Sequence, residues 1–231
     1  MLPLRDNVPT RTFPLVTVSL IVANVLVFLW ELGGRGLDLH VVRFGYYPCD
    51  LAGSCVGVAG LRELPWYESA FTSMFMHGGW LHIGGNMLFL WIFGNNVEDA
   101  MGRLRFLAFY VLGGLAATAT QTAVTVHYTG AAGESVPNIG ASGAIAAVLG
   151  AYFVLLPRAR VLTWIVFVVR EVPAFLFLGV WFLYQLWLGG GGLTHPEQGG
   201  GVAFFAHVGG FVFGAATVHL FAVRRPLNPA W

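Results

Sequence analysis

The chain has 231 residues, of which 57% are hydrophobic and only 10% are charged, and its mean hydropathy is +0.72. This composition excludes an ordinary soluble domain and predicts a membrane protein. All twelve basic residues are arginines, and the formal net charge of +1 gives no indication of a nucleic-acid partner.

Six stretches reach or approach the roughly 20 apolar residues that a bilayer core requires. They predict helices at 14–30, 80–101, 104–127, 142–156, 172–188 and 202–223. The first stretch has some features of a signal peptide, but it lacks a small-residue cleavage site and further spans follow it, so we expect it to be retained. The sequence therefore predicts an all-α polytopic membrane protein, with six transmembrane helices, a short fourth helix and one domain over residues 1–231.

Two stretches between these helices have a different character. The loop 31–79 is too long for a plain connector, and we expect it to be partly structured. Residues 161–169 are apolar, but they are too few to cross a bilayer and have arginines on both sides, which indicates an interfacial segment.

The arginines indicate the orientation, because positive charge is retained on the cytoplasmic side of a membrane. Six spans place both termini on the same side. With the termini inside, the external segments contain only Arg35, Arg43 and Arg62, and the cytoplasmic segments contain Arg5, Arg11, Arg103, Arg105, Arg158, Arg160, Arg170, Arg224 and Arg225. We therefore expect a multi-pass protein of the plasma (inner) membrane with both termini in the cytoplasm.

In this orientation the loop 31–79 and the glycine-rich segment 189–201 face the exterior. Cys49 and Cys55 then lie in an oxidising environment, where they either form a disulfide or remain two free thiols. The glycine-rich segment is either a mobile cap over an external opening or a simple flexible connector.

Three of the predicted helices carry polar residues at a similar depth. Counting at about 1.5 Å per residue places Ser142 of the short fourth helix roughly 8 to 10 Å below the outer surface. The same count places His207 about 8 Å deep in the sixth helix and Asn86 about 9 Å deep in the second, with His82 one turn above Asn86 on the same face. A serine, two histidines and an asparagine therefore meet in one layer.

This layer has the residue types of a hydrolase. A serine is a weak nucleophile unless a base takes its proton, and His207 is the histidine of the last three spans at a matching depth. The acidic residues Glu98, Asp99 and Glu171 all lie at predicted cytoplasmic ends, so we expect a Ser-His dyad without a carboxylate.

The same layer also offers donors for an oxyanion. These are the backbone N–H of Ser142 at the start of the fourth helix, the side-chain amide of Asn86, and His82. Preorganised donors of this kind stabilise the tetrahedral intermediate of acyl transfer.

Glycines accompany these residues on two helices. Gly210 and Gly214 form a GxxxG pair on the stripe of His207, and Gly143 and Gly150 are seven residues apart on the fourth helix. Such faces let two helix backbones approach closely. The alternative interpretation is that Ser142 itself serves helix packing, but ionisable groups at membrane depth are costly, and this favours a functional role.

Three motifs on spans two, four and six carry a family resemblance: HGGWLHIGGN (77–86), GASG (140–143) and AHVGGFVFG (206–214). In this order they resemble the rhomboid intramembrane serine proteases over about residues 70–215. The resemblance implies that Ser142 is the nucleophile, His207 the general base, and His82 and Asn86 part of the oxyanion hole. It also implies supporting roles for His77 and for the motif glycines Gly140, Gly143 and Gly210.

The resemblance further implies a rhomboid-like bundle that cleaves transmembrane helices of other membrane proteins near their outer ends. It implies the lipid bilayer as the reaction medium, no metal or cofactor, and no particular oligomeric state. Members often carry an aromatic residue four positions after the serine, where this chain has Ala146. Two other classes stay open: an inactive relative that binds helices without cutting them, and a haem carrier with iron held by His82 and His207.

Overall fold

The computed structural model describes residues 1–33, 36–55, 60–194 and 203–228, and it is mainly helical. In chain order its elements are strand β1 (Leu2–Asp6), helices α1 (Leu15–Leu32), α2 (Leu37–Phe44), α3 (Cys49–Ala52), α4 (Trp66–Thr72), a 3-10 turn (Ser73–Phe75), α5 (Trp80–Met101), α6 (Arg103–Tyr128), α7 (Gly130–Glu134) and α8 (Ser142–Leu155), strands β2 (Arg160–Ile165) and β3 (Val168–Pro173), and helices α9 (Ala174–Thr194) and α10 (Phe204–Phe221).

Helix α8 is the centre of the bundle. Every residue from Gly143 to Tyr152 is buried, and α8 packs against α5, α6, α9 and α10. A helix that is apolar on all sides has no solvent-facing stripe, which is typical of a core helix. Ser142, at its first turn, is therefore enclosed by four other helices.

Four helices of the described ranges are long and apolar enough to cross a membrane. They are α1, α6, α10 and the part of α9 over Ala174–Gly191. Helix α5 has 22 residues but carries several asparagines and two acidic side chains, and α8 has 14 residues. The count of six transmembrane helices stays a prediction.

The prediction of an all-α chain is wrong in one region, where β1, β2 and β3 form an antiparallel three-stranded sheet. The stretch 161–169, predicted as an interfacial segment, lies in the β2–β3 hairpin. Its sequence is rich in the β-branched residues that favour strands, and the N-terminal strand β1 supplies a pairing partner. At the tip Phe167 is 94% exposed, so the hairpin still presents an apolar surface.

The loop 31–79 contains α2, α3 and α4, and Cys49 and Cys55 form a disulfide within it. This loop is joined to the segment that leads into α8. The backbones of Tyr46 and Asn138 are paired, and the Asn138 N–H donates to the Tyr46 carbonyl at 2.7 Å. The loop therefore helps to position the chain just before Ser142.

The start of α1 is held by a buried carboxylate from another helix. Glu98 of α5 accepts hydrogen bonds from the Val16 N–H at 3.0 Å and from the Thr17 N–H and hydroxyl at 2.8 and 2.7 Å. These amides lie in the first turn of α1, where a helix lacks its own acceptors and favours negative charge.

We expect Glu98→Ala to lower the free energy of unfolding by about 2 to 4 kcal/mol, because it leaves buried donors without an acceptor. Thermal unfolding in detergent measures the effect. The matched control is Glu63→Ala, which removes a more exposed ion pair with Arg43 and is expected to cost less than about 1 kcal/mol. Equal losses in the two variants would contradict the capping role of Glu98.

A second buried carboxylate fixes the N-terminal strand to the bundle. Asp6 accepts hydrogen bonds from the Tyr152 hydroxyl at 2.6 Å and from the Asn96 side-chain amide. Burial raises the pKa of Asp6 from 3.8 to about 6, although the hydrogen bond from Tyr152 acts in the opposite direction. The folded protein therefore holds the Asp6 proton to a higher pH than the unfolded chain does.

This shift predicts a pH dependence of stability. Below about pH 4 Asp6 is protonated in both states, and between about pH 4 and 6 the unfolded chain loses the proton first, so the free energy of unfolding falls as pH rises, by about 3 kcal/mol. We expect Asp6→Asn to remove this fall, measured as unfolding midpoints from pH 4 to 7. Asp38→Asn, at an exposed position, is the control that should keep it. The same pH profile in Asp6→Asn and the wild type would refute the assignment.

Candidate active site

A cavity of about 620 Å³ lies at the N-terminal end of α8. Its polar lining includes His82 and Asn86 from α5, Ser142 from α8, Gln185 from α9 and His207 from α10. Helix α8 runs from this cavity towards Arg158 and Arg160, so the cavity lies at the end of the bundle opposite that arginine pair. Four different helices therefore contribute polar side chains to one opening.

Helices α8 and α10 approach closely because both have glycines at their contact. A side chain at Gly210 would collide with the carbonyl oxygen of Gly143, and one at Gly214 would collide with that of Ala147. Gly143 also contacts α6, since an added Cβ would lie 2.6 Å from Ala117. The motif glycines Gly143 and Gly210 thus allow the backbone approach that brings Ser142 and His207 together.

Ser142 and His207 are within hydrogen-bonding distance. The Ser142 Oγ and His207 Nε2 atoms are 2.7 Å apart. This is the pairing of nucleophile and base that a hydroxyl needs in order to be activated.

Helix α9 holds the other side of the His207 ring. The Gln185 Oε1 atom lies 2.8 Å from His207 Nδ1, and the Trp181 ring lies 5.9 Å from the imidazole with a tilt of 37°. Ala146 is fully buried at the α8–α10 contact and does not provide an aromatic surface. Sequence reasoning missed both α9 residues, although a glutamine inside an apolar span was a usable signal.

His82 and Asn86 form the α5 wall of the cavity. The His82 Nδ1 accepts a hydrogen bond from the Gly78 N–H at 3.4 Å, which leaves the proton of the neutral ring on Nε2. The Asn86 amide nitrogen is buried and makes no hydrogen bond to any other residue of the described ranges. Both side chains line the cavity, and the Asn86 amide still has a donor without a partner among the described residues.

Gly140 lets His82 lie against the chain that leads into α8. It has a φ of +120°, which favours glycine, and an added Cβ would be 2.8 Å from His82 Nε2. Its backbone N–H donates to the Ser73 carbonyl at 2.9 Å. Gly140 therefore supports the site through its shape rather than through its chemistry.

His77 lies behind His82 and does not line the cavity. It is fully buried, its ring centroid is 5.1 Å from that of His82, and its backbone N–H donates to the Glu31 carboxylate at 3.1 Å. These contacts place His77 in the support of the α5 wall. Of the proposed cap, residues 189–201, the first six residues form the end of helix α9, and 195–201 lie outside the described residues.

A family model for the rhomboid domain matches residues 65–224 of the chain. The chain belongs to the rhomboid family. Rhomboid protein 1, mitochondrial, of Saccharomyces cerevisiae is 28% identical over an alignment of 228 residues, and the match covers 87% of this chain and 62% of the relative. The human Presenilin-associated rhomboid-like protein, mitochondrial, is 30% identical over 145 residues, 62% of this chain and 33% of the relative.

Presenilin-associated rhomboid-like protein A, mitochondrial, of Danio rerio is 36% identical over 99 residues, 43% of this chain and 24% of the relative. The chain thus spans less than two thirds of each of these three relatives. The prediction of a plasma-membrane location is contradicted, because all three of these relatives are named as mitochondrial proteins. A multi-pass membrane protein is supported. The inference failed because arginine asymmetry reports the side of a membrane and not which membrane it is.

Proposed function

We propose that this rhomboid protein is an intramembrane serine endopeptidase that hydrolyses peptide bonds near the outer ends of transmembrane helices by a Ser-His dyad. The observation that carries the proposal is the 2.7 Å contact of Ser142 Oγ with His207 Nε2 in a cavity that His82 and Asn86 also line. Nucleophile, base and oxyanion donors then surround one point, as acyl transfer requires.

The first chemical step follows from this arrangement. The Ser142 oxygen attacks the scissile carbonyl carbon while its proton passes to His207 Nε2. The negative charge on the carbonyl oxygen faces the Asn86 amide, the His82 Nε2–H and the backbone N–H of Ser142. His207 then returns the proton to the leaving amine, and an acyl-enzyme on Ser142 remains.

A water molecule completes the reaction. His207 takes a proton from the water, the resulting hydroxide attacks the ester carbonyl, and the proton passes to the Ser142 oxygen as the carboxylic product leaves. The same donors stabilise the second tetrahedral intermediate. The cycle balances without a metal or cofactor, and each protein group ends in the state in which it began.

The walls of the cavity suggest how a transmembrane substrate enters. One wall belongs to α5, with Leu81, Gly85 and Phe89, and the facing wall belongs to α9, with Trp181 and Gln185. A substrate helix in the bilayer reaches the dyad between these two helices. Its scissile segment has to be extended there, because a helical peptide bond is shielded by its own hydrogen bonds.

Two other functions are less well supported by the contacts. A haem carrier would need a free ring nitrogen on His207, but one ring nitrogen lies beside Ser142 and the other beside Gln185. An inactive helix-binding relative would have no need of a polar contact between Ser142 and His207 in an otherwise apolar core. The dyad therefore favours the protease.

The test is cleavage of a single-pass substrate by the purified protein in proteoliposomes. We expect one or a few cuts near the outer end of the substrate helix, located by mass spectrometry of the two products. A haem carrier would show a Soret band in the purified protein. Specific binding of the substrate without any cleavage would favour the inactive relative and overturn the proposal.

A further inference from the structure

Gln185 is an unusual side chain for its position on α9. It is only 7% exposed, whereas its neighbours Tyr184 and Leu186 are exposed on the outside of the bundle. Burying an amide costs free energy unless its polar atoms find partners, and the His207 ring is the partner of its oxygen. An apolar residue would fill the same space without this requirement.

The Gln185 side chain can determine which tautomer His207 adopts. A neutral imidazole carries one proton, and Nε2 can accept the Ser142 proton only when that proton sits on Nδ1. The Gln185 oxygen, 2.8 Å from Nδ1, can only accept a hydrogen bond. The contact therefore selects the ring form in which Nδ1–H donates to Gln185 and Nε2 faces the serine.

We propose that Gln185 is a positioning residue that holds His207 in its basic tautomer and orientation, with the Trp181 ring fixing the plane of the imidazole. The inference rests on the proposed protease function and adds a third member to the dyad. Gln185 and Trp181 are four residues apart, one turn of α9, so both face the same histidine.

This arrangement makes the base depend on the position of α9. Ser142 and His207 belong to α8 and α10, whose backbones meet closely at glycines, but both groups that hold the ring come from α9. A displacement of α9 removes the hydrogen bond and the ring contact together. His207 therefore has both of these contacts only while α9 is packed against α10.

The test compares two substitutions of Gln185, one that removes the hydrogen-bond acceptor and one that keeps it. Gln185→Met keeps the length of the side chain but has no strong acceptor, whereas Gln185→Glu keeps acceptor oxygens and adds a charge. We expect Gln185→Met to lower kcat by about 10- to 100-fold with little change in KM, a smaller loss than the roughly 10⁴-fold of carboxylate triads because an amide carries no charge. Gln185→Glu is expected to have a kcat at least tenfold above that of Gln185→Met.

A purely structural role predicts the reverse order, since methionine suits an apolar contact and a buried carboxylate does not. Wild-type kcat in Gln185→Met, or a lower kcat in Gln185→Glu than in Gln185→Met, would overturn the proposal. Leu186→Met, at the exposed neighbouring position, is the control for changes in α9 itself.

A fluorophosphonate probe provides a second readout, because it reports the reactivity of Ser142 without requiring a transmembrane substrate. Its rate of labelling should fall in Gln185→Met by the same factor as kcat. If the wild type cleaves substrate and Gln185→Met labels at the wild-type rate, the positioning role fails while the protease function stands. If the wild type itself neither cleaves substrate nor reacts with the probe, the proposed protease function is wrong, and the positioning role that rests on it is wrong as well.

Discussion

Ser142→Ala and His207→Ala are each expected to abolish cleavage of a transmembrane substrate, with kcat lowered at least about 10⁴-fold. The two groups act as one unit, since the Ser142 Oγ is 2.7 Å from His207 Nε2 and no proton transfer occurs when either is missing. For the same reason the double variant should be no slower than either single variant. The measurement is initial rates in proteoliposomes against the wild type at equal protein.

The controls for this experiment are a serine and a histidine elsewhere in the bundle. Ser19→Ala changes an exposed hydroxyl of α1 that donates to a carbonyl of its own helix, that of Leu15. His219→Ala changes an exposed residue of α10, the helix that also carries His207. Both should cleave at the wild-type rate, and substantial turnover in Ser142→Ala with intact folding would rule out Ser142 as the nucleophile.

The convergence of the polar layer could be derived from the sequence because it depends on regular geometry. A fixed rise of about 1.5 Å per residue relates position to expected depth, and a short fourth helix is expected to begin below the surface. In the structure Ser142 begins α8, and Asn86 and His207 lie on two other helices around the same cavity. That these residues lie at one level of the bundle could therefore be predicted without any tertiary information, and their depth in a membrane stays a prediction.

Much less could be predicted from the sequence about which face of a helix contacts a neighbouring helix. Gln185 and Trp181 belong to a span that is apolar on nearly all sides, so no amphipathic stripe marks its inner face. Ala146, where family members often have an aromatic residue, left open what orients His207. The rotation of α9 about its axis is set by packing, and only the structure supplies it.

The sheet and the disulfide were missed or left open for a related reason. Strand pairing joins β1 near the N-terminus with β2, more than 150 residues later, and such a partner has no local sign in either segment. The choice between thiols and a disulfide required the separation of Cys49 and Cys55, which spacing alone does not give. Strand pairing and cysteine separation depend on the three-dimensional arrangement of the chain, whereas the position of a residue along a helix depends only on the local sequence.

Asn86→Ala tests whether the α5 wall acts on the transition state. The Asn86 amide nitrogen is buried at the cavity and has no partner in the described part of the chain, so it can donate fully to a developing oxyanion. Loss of one such donor typically raises the barrier by about 3 to 4 kcal/mol, and we therefore expect kcat to fall by roughly 100- to 1000-fold with little change in KM. The measurement is a full kinetic curve, because a single rate cannot separate turnover from binding.

The matched control is Asn95→Ala, which removes the same side chain nine residues later on α5, where Asn95 accepts a hydrogen bond from the Asn96 N–H. It should leave kcat close to the wild-type value. An oxyanion donor stabilises the charge that develops while Ser142 attacks the carbonyl, so Asn86→Ala should still bind substrate but should form the acyl-enzyme more slowly. If Asn86→Ala instead raises KM and leaves kcat unchanged, the amide contributes to substrate binding in the ground state and the oxyanion assignment is wrong.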